Sequence, residues 1–145
     1  TFGPDPAPLY IKTLQEEGRN PADFKVVQLR YMYISETEDQ AWEECQDHLF
    51  HAFDFYRDIV EHANDAAGDD DFLPLEKPSD IRHSALKDML MIGTVEQVIA
   101  KMNMFAKEYQ CTNLCIYAQF PGMDIDKATR SIELFAENVM PLFPD

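Results

Sequence analysis

At 145 residues with 46% hydrophobic side chains, the chain can bury the core of an ordinary domain. Twelve basic against 27 acidic residues give a formal charge of −15, which repels phosphate backbones and anionic membrane surfaces, so neither nucleic acid nor membrane is an expected partner. No apolar run is long enough to span a bilayer, and the amino end lacks the basic and apolar blocks of a secretion signal, which makes a cytoplasmic location the expectation. Cys45, Cys111 and Cys115 form an odd set without a CxxC pair, so they read as buried thiols rather than a disulfide framework or zinc ribbon.

Pro4, Pro6 and Pro8 predict an extended lead-in over Thr1 to Pro8, followed by a short helix from Leu9 to Glu17 that ends at Gly18. Val26 to Ile34 alternates as a strand, with Val27, Leu29, Tyr31 and Tyr33 on one face and Gln28, Arg30, Met32 and Ile34 on the other. Thr37 and Gln40 have capping-box spacing and open a long helix whose apolar stripe is Trp42, Cys45, Leu49, Ala52, Phe53, Tyr56 and Ile59. Asn64 to Pro78 carries Gly68, three consecutive aspartates, Pro74 and Pro78, and reads as a long loop of the kind that forms lids. Ser84 to Met91 is a short helical piece. Thr94 and Gln97 form a second capping box, for a helix with Val95, Val98, Ile99, Met102, Phe105 and Tyr109 on one side. Cys111 to Phe120 has the length of one buried strand, stopped by Pro121 and Gly122. Asp124 then caps a helix with Ile125, Ala128, Ile132, Phe135, Ala136 and Val139 at apolar spacing.

Two strands in this reading leave both sheet edges open and cannot cover the helices, so the chain reads as part of a larger fold. If the uniformly apolar set of the first strand packs on outer helices, Gln28 and Arg30 point into a barrel interior together with Tyr117 and Gln119 of the last strand. Other chemistry-bearing groups are weaker. Ile92-Gly93-Thr94 before a helix could hold an anion, but Thr94 is already explained as a cap. Glu44, His48 and His51 share a helical stripe without a second ligand-bearing segment, and the aspartate cluster lacks the ligand spacing of a calcium loop, so no metal site is assigned.

Ile92-Gly93-Thr94-Val95-Glu96-Gln97-Val98, Asn113 to Gln119, Phe120-Pro121-Gly122-Met123 and Ser131 to Pro141 follow one another in an order and spacing that resemble the carboxyl end of the bacterial-luciferase-like flavin monooxygenases. The likeness extends upstream through Gly18 to Ala41. It implies an α/β fold, the carboxyl-terminal part of a (β/α)8 TIM barrel with its last two strands and their helices. Residues 1–145 would form one such segment, with a lid-like insertion at about 62–91. It further implies an oxidoreductase that uses reduced FMN, or less favourably a deazaflavin, and O2 to oxidise a small organic substrate, with a flavin reductase as the source of reduced flavin. The family's base or cysteine and most phosphate contacts come from earlier strands, so no catalytic residue is assigned here. For the cofactor or substrate pocket the candidates are Arg30 and Gln119 in polar roles and Met32 and Phe120 in apolar ones. The remainder of the barrel, or a homo-oligomer, would complete the pocket. The rival reading is a non-enzymatic α/β assembly module that pairs with a partner chain and binds no flavin.

Overall fold

The computed structural model describes residues 6–62 and 75–143. Among them run α1 (Ala7–Glu16), β1 (Val27–Ile34), α2 (Glu38–His62), α3 (Ser79–His83), β2 (Met91–Gly93), α4 (Val95–Glu108), β3 (Asn113–Tyr117) and α5 (Ile125–Asn138). Short 3-10 turns lie at Pro21–Asp23, Ala85–Met89 and Met140–Leu142. The Asn64 to Pro74 part of the expected loop, with its aspartate cluster, and the side chain of Ile59 lie outside the described residues.

Local rules account for most boundaries. Helix α1 begins earlier than expected, because Pro8 sits in its first turn, where a missing N–H costs nothing. It ends where Gly18 adopts φ +69°, with the Arg19 N–H donating to the Leu14 carbonyl at 2.8 Å and the Gly18 N–H to the Gln15 carbonyl at 3.0 Å. The Thr94–Gln97 capping box forms in both directions. The Gln97 side chain folded back into that box occupies the space a Cβ at Gly93 would need, and Gly93 itself sits at φ +149°. Asp124 accepts from the backbone N–H groups of Asp126 and Lys127 and starts α5.

The sheet has three parallel strands in the order β2-β1-β3. Strand β2, only Met91-Ile92-Gly93, corrects the expectation of two strands: three residues are too few to show alternation. The last strand is also shorter than the expected Cys111 to Phe120. Val27 to Tyr31 of β1 pair with Asn113 to Tyr117, and Met32 to Ile34 pair with Met91 to Gly93. Strand β3 thus lies against β1 rather than against β2. Passing from β1 to β2 and then back across to β3 reverses direction along the sheet, so right-handed connections place α2 and α4 on opposite faces. Trp42, Cys45, Leu49 and Phe53 of α2 accordingly pack with Tyr33 and Ile92. Val98 and Phe105 of α4, with Phe135 of α5 and Val139 just beyond it, pack with Met32, Ile34 and Met91 on the other side.

Helix α5 shows how hydrogen bonding overrides hydropathy. Ala128, Phe135 and Val139 are buried as expected, but Ile125, Ile132 and Ala136 are exposed and Ser131 is fully buried. The reason is the Ile34 N–H, which lies beyond the reach of β3 and donates instead to Ser131 Oγ at 2.8 Å. Ser131→Ala should therefore lower stability by about 1–3 kcal/mol, the cost of a buried donor left without its partner. Ile132→Ala, one residue on, should change stability by only about 0.5 kcal/mol. Urea denaturation of the two variants checks this, and equal losses would contradict it.

Candidate pocket wall at the carboxyl ends of the strands

The faces of β1 are occupied the other way round from the sequence expectation. Gln28, Arg30, Met32 and Ile34 are buried towards α4 and α5, while Val27 and Leu29 are 63% and 53% exposed on the opposite face. Arg30 tolerates this place because its guanidinium lies 4.7 Å from the Phe105 ring centre and donates to Gln28 Oε1 at 2.8 Å and to the Leu29 carbonyl at 3.0 Å. The cleft that Arg30 lines, about 400 Å³, opens between α1 and the amino-terminal half of β1 and also takes in Tyr10 and Lys25. Met32 is buried in the same helix-facing layer. Gln28 and Arg30 therefore do not share an inward face with Tyr117, and Arg30 and Met32 are not brought together with Phe120.

Phe120 enters a different group. It is 1% exposed and stacks with Tyr117 at 6.1 Å between ring centres, while Tyr31 meets Tyr117 and Phe53 edge-on at 5.4 Å each. Register places Tyr31 beside Tyr117 and Leu29 beside Cys115, so this aromatic cluster continues into an open strip of Leu29, Val27 and Cys115. Gln119, exposed, follows the end of β3 at the rim of the cluster. Of the three cysteines only Cys45 is fully buried; Cys111 is half-buried and Cys115 exposed, which corrects the reading of all three as buried thiols. Tyr31 and Phe53 were absent from the sequence candidates, since alternation in β1 assigned Tyr31 to the wrong layer and Phe53 comes from a distant helix.

Two carboxylates fasten the rim. Glu44 of α2 accepts hydrogen bonds from Tyr33 Oη at 2.8 Å, Arg130 Nη2 at 2.7 Å, Gln40 Nε2 at 3.2 Å and Ser35 Oγ at 3.3 Å. Burial alone would raise its carboxyl, but the bonds from Arg130, Tyr33 and Gln40 outweigh it and hold the group down at about 2. The same burial and the bond to Glu44 push the Tyr33 hydroxyl upward. Glu38 accepts from Gln97 Nε2 at 2.7 Å and Lys87 Nζ at 3.1 Å, with Arg82 at 3.4 Å, and these bonds from Gln97 and then Lys87 also bring it to about 2. Glu38 thus ties the start of α2 to the described part of the expected lid, where Ile81 is fully buried and Leu75 and Leu86 pack against the α2 core. His48 Nδ1 lies 3.1 Å from the Pro121 carbonyl and His51 is exposed, so Glu44, His48 and His51 are not gathered on one point. The Gln40 N–H donates to the Thr37 hydroxyl as the capping-box spacing predicts, but the Gln40 side chain turns to Glu44; Tyr33 and Arg130 as partners of Glu44 were not legible.

Parallel strand–helix units with an aromatic cluster at the strands' carboxyl ends define an α/β protein whose loops at that edge are the usual place for chemistry. The sequence pattern of the luciferase-like monooxygenases matches residues 5–109, most of the chain, and the chain belongs to that family. Among solved structures it is similar to the monooxygenase RslO1 from Streptomyces bottropensis, at 17% identity and a TM-score of 0.60, over 95% of this chain and 37% of that one. The chain therefore spans little more than a third of the structure it matches, and its three parallel strands are consistent with part of a luciferase-like TIM barrel. No curated protein matches. Among the described residues no helix is long and apolar enough to cross a membrane.

Because the Glu44 and Glu38 carboxyls lie below their ordinary value of 4.5, folding gains from their ionised forms. That gain is complete above about pH 4.5 and disappears as pH falls towards about 2. Glu44→Gln should therefore cost stability at pH 7 and make the decline between those limits shallower. Urea midpoints across that range test it; an unchanged slope would exclude Glu44 as a main acid-sensitive group.

Proposed function

We propose that the chain supplies one wall of a flavin-dependent monooxygenase that uses reduced FMN and O2 to oxidise a small organic substrate. Residues 1–145 act in this reading as the carboxyl-terminal segment of a luciferase-like barrel, with an insertion at about 62–91 over the pocket. The observation that carries the reading is the aromatic cluster of Tyr31, Tyr117 and Phe120, which reaches the carboxyl end of β3 and continues into the open strip of Leu29 and Cys115 towards the amino ends of β1 and β3. Family membership supplies the reaction class.

The fit is to a flat ring system rather than to a phosphate. Tyr117 offers a half-open aromatic edge, and Tyr31, Phe53 and Phe120 keep water from its buried side. Arg82, Lys87 and Arg130 near this rim are already paired with Glu38, Asp39 and Glu44, so a phosphate would be held elsewhere. Gln119 can donate or accept one hydrogen bond at a polar edge of the ring or substrate. Bound reduced flavin supplies the two electrons that reduce O2 as one oxygen atom enters the substrate and the other leaves as water. The proton-handling residues lie on other strands in this reading, and the chain by itself is inactive. Arg30 and Met32 act from behind the sheet, by holding β1 against α4 and α5. Strands β2 and β3 each have one unpaired edge in the described sheet, which suits completion by further barrel strands or a second copy. A cytoplasmic setting with a flavin reductase would supply the reduced cofactor.

Native mass spectrometry of the purified chain with FMN tests the proposal. A flavin-bearing assembly is expected, and Tyr117→Ala should weaken flavin retention about three- to tenfold, the range of one aromatic contact. A self-associated chain that holds no flavin would overturn the enzymatic reading in favour of an assembly module.

A further inference from the structure

The turn that carries Phe120 away from β3 is fastened by a helix distant in sequence. Phe120-Pro121-Gly122-Met123 closes through the Met123 N–H, which donates to the Phe120 carbonyl at 3.1 Å, with Gly122 at φ +74°. Proline at the second place and a left-handed glycine at the third are the marks of a type II turn. Its two ends are buried, Phe120 against Tyr31 and Tyr117 and Met123 in the α2 core, while Pro121 and Gly122 are exposed.

The turn's own hydrogen bond uses the Phe120 carbonyl, and the Pro121 carbonyl is taken by His48 of α2, whose Nδ1 lies 3.1 Å away. A carbonyl only accepts, so Nδ1 carries the proton and donates. The imidazole also lies close over the glycine: a Cβ at Gly122 would stand 3.6 Å from His48 Nδ1 and 3.9 Å from Cε1. Cys45, Leu49 and Ala52 beside His48 are buried, which fixes the rotation of α2 about its axis and with it the direction of the ring. One helical turn before His48 stands Glu44, which accepts from Arg130 of α5 at 2.7 Å. Two successive side chains of α2 therefore hold the end of the chain, Glu44 at the helix and His48 at the turn before it.

We propose that His48 is a positioning residue for the aromatic wall: its Nδ1–H holds the Pro121 carbonyl and so sets Phe120 against Tyr117 and Tyr31, and Gln119 at the rim. The consequence for cofactor binding rests on the flavin reading above, whereas the seating of Phe120 does not. A turn held in place before binding spares the cofactor the cost of ordering it, so His48 strengthens retention without touching the ring.

Substitutions at His48 separate the donor from the space it fills. Asparagine places its Nδ2 where histidine has Nδ1, and leucine fills similar space with no donor. NMR of the whole chain reads the ring protons of Tyr31 and Tyr117, which the Phe120 ring current displaces, and FMN titration of the same samples reads retention. His48→Leu should move those resonances towards the positions of unstacked tyrosine and weaken FMN about three- to tenfold, the range of one hydrogen bond. His48→Asn should restore both. Ring-proton positions unchanged in His48→Leu, or not restored in His48→Asn, would overturn the proposal. So would FMN held as tightly by His48→Leu as by the unsubstituted chain. An unsubstituted chain that holds no FMN would overturn the flavin reading instead, and the ring protons alone would then decide whether His48 seats Phe120.

Discussion

The central position of β1 is the constraint from which the rest of the structure follows. Its amino-terminal half is hydrogen-bonded to β3 and its carboxyl-terminal end to β2, one on each side. Chain connections that run out to one neighbour and then back across to the other must put their helices on opposite faces if both stay right-handed. Helix α2 therefore covers one side of β1 near its carboxyl end, and α4 and α5 cover the other. The amino-terminal half of the α2 side is left bare, which exposes Val27, Leu29, Cys115 and Tyr117. That bare strip is the surface on which the functional reading rests.

The carboxylate clusters do for the rim what β1 does for the core. Glu44 joins the end of β1, the first turns of α2 and the outer side of α5, and Glu38 joins the start of α2 to the segment before β2 and to the amino end of α4. Each carboxylate accepts from several donors at once, which is the condition under which a partly buried charge stabilises rather than costs. The aromatic cluster is thereby held between elements that are fixed to one another, with Phe53 on α2, Tyr31 on β1, and Tyr117 and Phe120 at the end of β3.

Much of this was legible in the sequence where the governing rule is local. The capping box at Thr94–Gln97, the cap at Asp124, the end of α1 at Gly18 and the alternation of β1 all follow from contacts within a few residues. What could not be read was decided by partners far along the chain. Apolar residues are not obliged to be inside, so the apolar set of β1 gave no sure guide to its face. Arg30 is buried because Phe105 comes beneath it, and Ser131 is buried because the Ile34 N–H, beyond the reach of β3, donates to its hydroxyl. The face assignment reversed for these reasons, and with it the grouping of the pocket candidates: Phe120 stands with Tyr31 and Tyr117, while Arg30 and Met32 stand behind the sheet.

The open strip can be interrogated through its own thiol. Maleimide labelling of Cys115, followed by peptide mass spectrometry with Cys45 and Cys111 as internal references, measures whether the face is accessible and whether flavin covers it. The account predicts rapid labelling of Cys115, none of Cys45 in the folded chain, and selective slowing at Cys115 when FMN is added to saturation. Labelling of Cys115 that is already slow without flavin would contradict an open face, and labelling that is rapid with and without flavin would contradict its role as a flavin wall.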